Sequence, residues 1–119
     1  MSLYSVTYSN FAIEDIERIP LKEEETKALV SFLKSDGCRV IGKRQQQINY
    51  ELDIWYFRLP LLLRGARGGG RCLYYRKENN IYIYRIFNKK EIDNDGNKSR
   101  KRVFEIALEE LKNILRFSK

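Results

Sequence analysis

The sequence contains no histidine and only two cysteines, Cys38 and Cys72. The cysteines are far apart and lack C-x-x-C spacing, so neither a zinc site nor a disulfide framework is predicted. Two buried thiols in a reducing cytosol are the simplest interpretation.

Residues that break regular structure are also scarce, and no long apolar segment is present. Two prolines, seven glycines and a hydrophobic content of 43% indicate a folded chain rather than a disordered one. Its 119 residues suffice for one core but not for two, which predicts a single domain over residues 1–119. The absence of a membrane span and of a signal-peptide pattern at the N-terminus predicts a cytoplasmic protein without membrane contact.

Positive charge is in excess and is concentrated in the middle of the chain. The 23 lysines and arginines exceed the 16 acidic residues by seven. Residues 39–102 hold 16 basic and six acidic residues, a net charge of +10, whereas residues 1–38 have a net charge of −3. This concentration favours a polyanion-binding surface over a solvated lysine face. The six acidic residues form no ligand-like cluster, so no metal and no cofactor are predicted.

Hydrophobic periodicity predicts helices toward both ends of the chain. Apolar residues at three- and four-residue spacing predict a helix that begins after Pro20 and stops at Gly37. The same spacing over residues 102–117 predicts an amphipathic C-terminal helix. Before Pro20, residues 2–9 fit a short strand and residues 12–19 fit one or two helical turns.

Between these helices the period changes to two, as is typical of strands. Three strands are predicted at residues 54–59, 71–76 and 81–87. Residues 77–80 predict a turn that joins the last two into an antiparallel hairpin, with an asparagine in left-handed backbone. Residues 38–52 fit either an edge strand or a loop, and residues 94–97 fit a polar loop. The expected fold is a small α+β domain with a mostly antiparallel sheet of three to five strands, on one face of which the N-terminal and C-terminal helices pack.

Residues 64–76, RGARGGGRCLYYR, place three glycines directly before an arginine and a predicted strand. Such a run favours a turn with positive φ or a backbone that approaches a ligand closely. It is not a Walker-type phosphate loop, because no G-K-[ST] follows and the next element is a strand. Side-chain alternation places Arg71 and Tyr75 on one face of that strand. An antiparallel neighbour would bring Arg58 and Tyr56 beside them on an outward face of the sheet.

The order of elements and the stretch GARGGGRCLYYR at residues 65–76, with FRLP upstream and NKKE at residues 88–91, resemble the RelE/HigB superfamily of toxins. The likeness covers residues 29–115. It implies a RelE-like fold and the toxin component of a type II toxin–antitoxin pair. Such a toxin is an endoribonuclease that cleaves mRNA, free or on the ribosome, by attack of the 2′-OH on the phosphodiester. The resemblance also implies an acidic antitoxin protein as partner.

The resemblance assigns Arg71 to the catalytic arginine that contacts phosphate and Arg58 to a basic residue on the preceding strand. Arginine suits this role because its planar fork binds phosphate through two charge-assisted hydrogen bonds and stays protonated. The general base is left open, because some family members carry a histidine or tyrosine near the C-terminus and this chain has neither there. A tyrosine or lysine would need its pKa lowered to act near pH 7, by neighbouring cations in either case or by burial in the case of lysine. The candidates for proton transfer are Tyr56, Tyr75, Lys89 and Lys90.

The predicted catalytic residues are Arg71, Arg58, Lys90 and Tyr75, and the predicted RNA-binding residues are Arg64, Arg67, Arg76, Tyr56, Arg85 and Lys89. Two alternatives without catalysis stay open. A basic sheet with exposed aromatic residues binds single-stranded RNA by stacking and phosphate contacts alone. The acidic first helix and the apolar C-terminal helix would alternatively form a docking surface for a partner protein.

Overall fold

The computed structural model describes residues 4–36, 45–59, 70–88 and 98–117. The predicted strands and the two main helices are confirmed, whereas the expected helix stop at Gly37 and the polar loop at residues 94–97 lie outside the described residues. In chain order the elements are β1 (Ser5–Tyr8), α1 (Asn10–Arg18), α2 (Glu23–Asp36), β2 (Gln45–Asn49), β3 (Ile54–Leu59), β4 (Gly70–Lys77), β5 (Asn80–Asn88) and α3 (Lys98–Phe117).

The five strands form one mixed sheet in the order β1-β5-β4-β3-β2. The pairs β2–β3, β3–β4 and β4–β5 are antiparallel, whereas β1 runs parallel to β5. The α+β class is therefore as predicted. The segment that fitted either a strand or a loop contributes β2, which pairs with β3 at the edge of the sheet.

A two-residue turn at Glu78 and Asn79 joins β4 to β5, which confirms the predicted hairpin. Glu78 has a φ of 59°, so the expectation that an asparagine takes the left-handed position was wrong. The favoured two-residue hairpin turns need positive φ at their first central position, because only then does the backbone follow the twist of the strands. The strand register places Glu78 at that position.

Helices α1 and α2 pack on one face of the sheet. Ala12 of α1 and Leu29 and Leu33 of α2 are fully buried in a cluster with Trp55 and Cys72 of the central strands. Phe32 adds a ring stacked on Phe57 at 4.4 Å between centroids. This face carries the larger of the two hydrophobic clusters.

Helix α3 packs on the opposite face, where Ala107 and Leu111 are buried against Leu73 and Phe87. The expectation that all helices share one face was therefore wrong. The reason lies in β4, whose residues from Gly70 to Tyr74 are all buried. A central strand that is apolar on both sides needs a covering layer on each face.

Beyond the end of β1, a side chain of helix α1 forms hydrogen bonds with the open edge of β5. Asp15 is 2% exposed, and its carboxylate accepts hydrogen bonds from the Ile86 backbone N–H at 2.9 Å and from Arg85 Nε at 2.7 Å. Arg18 Nη2 donates to the same carboxylate at 2.9 Å. A buried carboxylate with several donors of this kind completes the hydrogen bonding of an edge strand.

Within the described ranges, none of the helices has the length and apolar character needed to cross a bilayer.

Candidate nucleic-acid interface

Arg58 on β3 and Arg71 on β4 are directly opposite each other in the antiparallel register. Side chains opposite one another in such a pair lie on the same face with Cβ atoms about 4.5–5.5 Å apart. Like charges in this position destabilise a sheet unless an anion offsets them. The predicted cross-strand placement of the two arginines is therefore present, and it is an arrangement suited to binding phosphate.

The two arginines differ strongly in accessibility. Arg58 is exposed, whereas only 6% of Arg71 is exposed. Arg71 lies on the central strand between Arg58 and Phe87, and its Nη1 donates to the carbonyl of Gly70 at 3.0 Å. This face of the sheet also carries α3. The expectation of an outward face lined by arginine and tyrosine was therefore wrong for Arg71.

Tyr56 lies on the same face, two residues before Arg58 on β3. It is half-buried because Phe104 of α3 packs edge-on against its ring at 5.5 Å between centroids. Phe104 also contacts the ring of Phe87 at 6.0 Å. Gln46 of β2 is opposite Tyr56 in the register and is exposed. Sequence reasoning missed Gln46, because QQQIN has no alternation of polar and apolar residues and only the pairing with Tyr56 places it on this face.

Three strand termini meet beside the arginine pair, and we call this region the arginine end of the sheet. Leu59 at the end of β3 pairs with Gly70 at the start of β4, which pairs with Asn88 at the end of β5. Phe104, in the second turn of α3, contacts the same region, so the positive end of the helix dipole lies nearby. The predicted residues Arg64, Arg67, Lys89 and Lys90 lie outside the described residues.

Tyr75 lies at the opposite end of β4. Four residues separate it from Arg71, which corresponds to about 13 Å along a strand. Its ring stacks on Tyr82 at 5.1 Å, and burial together with Tyr82 raises its pKa. The expected lowering of the pKa is therefore absent, and Tyr75 lies too far from Arg71 along the strand for the two side chains to form one site.

Arg76 is also at this far end, in an ion pair with Asp53. The Arg76 Nε donates to Asp53 Oδ2 at 2.7 Å, while Asp53 Oδ1 accepts from Trp55 Nε1 at 2.7 Å. Asp53 has a φ of 54°, a left-handed backbone that aspartate adopts more readily than most residues. A cavity of about 190 Å³ lies beside this pair and is lined in part by Tyr75 and Leu115. It is smaller than the roughly 300 Å³ at which small-molecule sites begin.

Arg85 is partly buried, and its guanidinium binds groups of the protein itself. Its guanidinium binds the Asp15 carboxylate through Nε at 2.7 Å and Nη2 at 3.1 Å. The same guanidinium lies over the Phe87 ring at 4.9 Å from its centroid. These contacts give Arg85 a structural role in joining α1 to the sheet. Of the predicted cations that the structure describes, Arg58 and Arg71 are the two brought together.

The described residues contain no group of three histidine, cysteine or carboxylate side chains placed to hold a metal ion. A scan of the chain against models of known protein families finds no match, and a search of curated proteins finds no significant relative. The resemblance to the RelE/HigB toxins therefore stays a prediction from the motif at residues 65–76.

Proposed function

We propose that the chain is an endoribonuclease of the toxin type, and that the arginine end of its sheet binds the scissile phosphate. The observation that carries this proposal is the cross-strand pair of Arg58 and Arg71. A sheet tolerates such a pair most readily when a ligand supplies negative charge. The net charge of +10 over residues 39–102 supports a polyanionic ligand.

Ion pairs distinguish Arg58 from Arg76 and Arg85, two of the predicted RNA-binding residues. Arg76 and Arg85 each bind a carboxylate, at 2.7 Å in both cases. Arg58 has no carboxylate partner within the described part of the chain. Its charge is therefore available to an RNA phosphate at the surface, while Arg71 lies deeper beside it.

In the proposed reaction the 2′-oxygen of the substrate attacks the adjacent phosphorus, and the bond from phosphorus to the 5′-oxygen breaks. The 2′-OH proton passes to a general base, and the 5′-oxygen receives a proton as it leaves. The products are a 2′,3′-cyclic phosphate and a 5′-hydroxyl. Arg58 and Arg71 stabilise the negative charge that builds up on the phosphoryl oxygens. Stabilisation of developing charge by fixed donors is usually the largest single contribution to catalysis. Tyr56 is the described candidate for proton transfer, and Lys89 and Lys90 are the candidates outside the described residues.

The direct test is incubation of the purified chain with single-stranded RNA in the presence of EDTA. We expect fragments that end in 2′,3′-cyclic phosphate and begin with a 5′-hydroxyl. A substrate with 2′-deoxyribose at the cleavage position should stay intact, because it lacks the attacking oxygen. Cleavage of the deoxy substrate at the same position would contradict the proposed reaction.

A second candidate function is RNA binding without cleavage. It is favoured by the burial of Arg71 and by the environment of Tyr75, a candidate for proton transfer whose pKa burial raises. A raised pKa makes a tyrosine a poorer base near neutral pH. Salt-sensitive RNA binding with no fragments, even at high protein concentration, would favour this second function.

The cellular role that follows from the proposed reaction is that of a cytoplasmic toxin restrained by an acidic antitoxin. Induced expression of the chain should arrest growth and shorten transcripts, and co-expression of an adjoining acidic reading frame should restore growth. If a chain that cleaves RNA in vitro leaves growth unaffected, the toxin role fails while the ribonuclease proposal stands.

A further inference from the structure

Strand β1 lies at one edge of the sheet and pairs with β5 on one side only. The Ser5 N–H donates to the Asn79 carbonyl at 3.0 Å, and the Ser9 N–H donates to a carbonyl of β5 at 2.9 Å. Because backbone groups of successive strand residues point to opposite sides, those of Val6 and Tyr8 point away from β5. The described residues give these N–H and C=O groups no backbone partner. We call this row of groups the β1 edge.

Helix α2 runs beside the β1 edge and closes only one end of it. The Lys34 carbonyl accepts a hydrogen bond from the Tyr4 N–H at 3.1 Å, and the Thr26 carbonyl accepts one from the Tyr8 hydroxyl at 3.2 Å. The last turn of α2 therefore lies at the start of β1, and the helix runs antiparallel to the strand. An open groove of about 520 Å³ remains between Tyr8 and α2.

The sequence of β1, SVTY, lacks the features that usually keep an edge strand from pairing. It contains no charged residue and no proline, and its register with β5 is regular. Lysine, proline and bulges are the common means of preventing strand addition at an edge. Valine, threonine and tyrosine are instead among the residues that favour strands. The β1 edge is therefore suited to accept another strand.

The hydrogen-bonding groups of the β1 edge match those of a second β1 in antiparallel orientation. With a twofold axis at Thr7, Val6 of each copy is opposite Tyr8 of the other. Each such pair exchanges two backbone hydrogen bonds, so the two pairs form four and use every group of both edges. An axis at Val6 would need the N–H of Tyr4, which α2 already binds. An axis at Tyr8 would need Asn10, which belongs to α1.

The charges that line the groove are compatible with this symmetric pairing. They are Glu23, Lys27 and Lys34, which sum to +1, whereas the whole chain carries +7. Lys27 is paired with Glu23 of its own chain at 3.1 Å. Glu23 lies about 4.5 Å beyond Thr26 along α2, so the twofold axis brings it level with Lys34 of the second copy. Repulsion between two copies is therefore weak at this surface.

A second copy is also a better occupant than a disordered peptide. A peptide without structure of its own loses conformational entropy when it is fixed as a strand. In the folded chain β1 is already extended by its pairing with β5, so this cost has been met by folding. Closed twofold dimers are the commonest form of protein self-association.

We propose that the β1 edge binds the β1 edge of a second copy of the chain. The two five-stranded sheets then join into one continuous sheet, with both α2 helices on the same face. Strand β1 is two positions away from β4, which carries Arg71, and three positions away from β3, which carries Arg58. The proposed contact is therefore separate from the arginine end of the sheet and does not depend on RNA cleavage.

The test is sedimentation velocity of the intact chain over about a hundredfold range of concentration, in which we expect a monomer–dimer equilibrium. Thr7 is exposed, and the axis places it opposite its own copy. Thr7→Lys and Thr7→Glu should therefore each weaken dimerisation by about tenfold or more, since like charges meet. An equal mixture of the two variants should form dimers again, because lysine then lies opposite glutamate. Circular dichroism verifies that both variants are folded.

Gln46→Lys is the matched control, because it makes the same change of charge at an exposed residue of β2, the other edge strand. It should leave the dimer dissociation constant unchanged. In amide hydrogen exchange followed by NMR, the Val6 and Tyr8 N–H groups should become more protected as the dimer forms. A chain that stays monomeric at every concentration would overturn the proposal. Equal effects of Thr7→Lys and Gln46→Lys, or a mixture of the Thr7 variants that stays monomeric, would overturn it too.

Discussion

Arg58 and Arg71 are cross-strand partners, yet Arg58 is exposed and Arg71 is almost completely buried. The exposed arginine can meet a phosphate without any change in the protein. The buried arginine is held by its neighbours and can act only on a group brought close to it. We therefore expect Arg58 to contribute mainly to RNA affinity and Arg71 mainly to the rate of cleavage.

Arg58→Ala should weaken RNA binding and reduce the slope of log affinity against log salt by about one, because one phosphate contact is lost. Titration of single-stranded RNA at several ionic strengths measures both quantities. Lys27→Ala is the control, since Lys27 is an exposed cation on α2, which packs on the other face of the sheet. An unchanged slope for Arg58→Ala would remove this residue from the interface.

Asp15→Ala should destabilise the fold by about 3–5 kcal/mol, since it leaves Arg85 and the Ile86 N–H without their buried acceptor. Urea unfolding followed by circular dichroism gives the free energy of unfolding. Glu23→Ala provides a comparison, because the Glu23–Lys27 pair is largely exposed and should contribute less than about 1 kcal/mol. Similar losses for the two variants would show that the Asp15 cluster does not hold α1 to the sheet.

Stability should fall at alkaline pH, because burial raises the pKa of Tyr8 to about 12 from its ordinary value of 10.0. Above pH 10 the unfolded chain loses this proton while the folded chain keeps it, so the stabilisation is complete below pH 10 and is lost as the pH rises toward 12. Tyr8→Phe should reduce this decline. Urea unfolding at pH 9, 10 and 11 tests the prediction, and identical pH profiles for parent and variant would contradict it.

Cys72 should not react with a water-soluble disulfide reagent in the folded protein. The thiol is fully buried, and burial with the nearby Asp15 carboxylate raises its pKa far above the ordinary range. A Cys38→Ser background isolates this one thiol. The reaction, followed by the absorbance of the thiolate that the reagent releases, should begin only at urea concentrations that unfold the chain. Stoichiometric reaction in buffer would show that the core around Cys72 opens readily.

The sequence pattern predicted the main strands and helices, because the alternation of a strand and the periodicity of a helix depend only on residues that are close together in the chain. The alternation in IWYFRL and RCLYYR placed Arg58 and Arg71 on one face, and the register agrees. The same alternation did not show which helix covers that face. Leu73, on the side predicted to face outward, is fully buried under α3.

Pairings between distant parts of the chain could not be predicted from local patterns. The parallel pairing of β1 with β5 joins residues about 75 positions apart, and nothing in SVTY specifies its direction. The ion pair of Asp15 with Arg85 is equally remote in sequence. Arg85 was therefore predicted to bind RNA, whereas the structure gives it an internal partner.

The role of Arg71 is the central claim, and single-turnover cleavage of RNA by Arg71→Ala and Arg71→Lys tests it most directly. Urea unfolding must first show that each variant is folded, because the side chain is 6% exposed. We predict that Arg71→Ala lowers the cleavage rate by about 10²–10³ while RNA affinity changes little. Arg71→Lys should recover little of the rate, since an ammonium does not reproduce the bidentate fork. A folded Arg71→Ala variant that cleaves RNA at the parental rate would contradict the account.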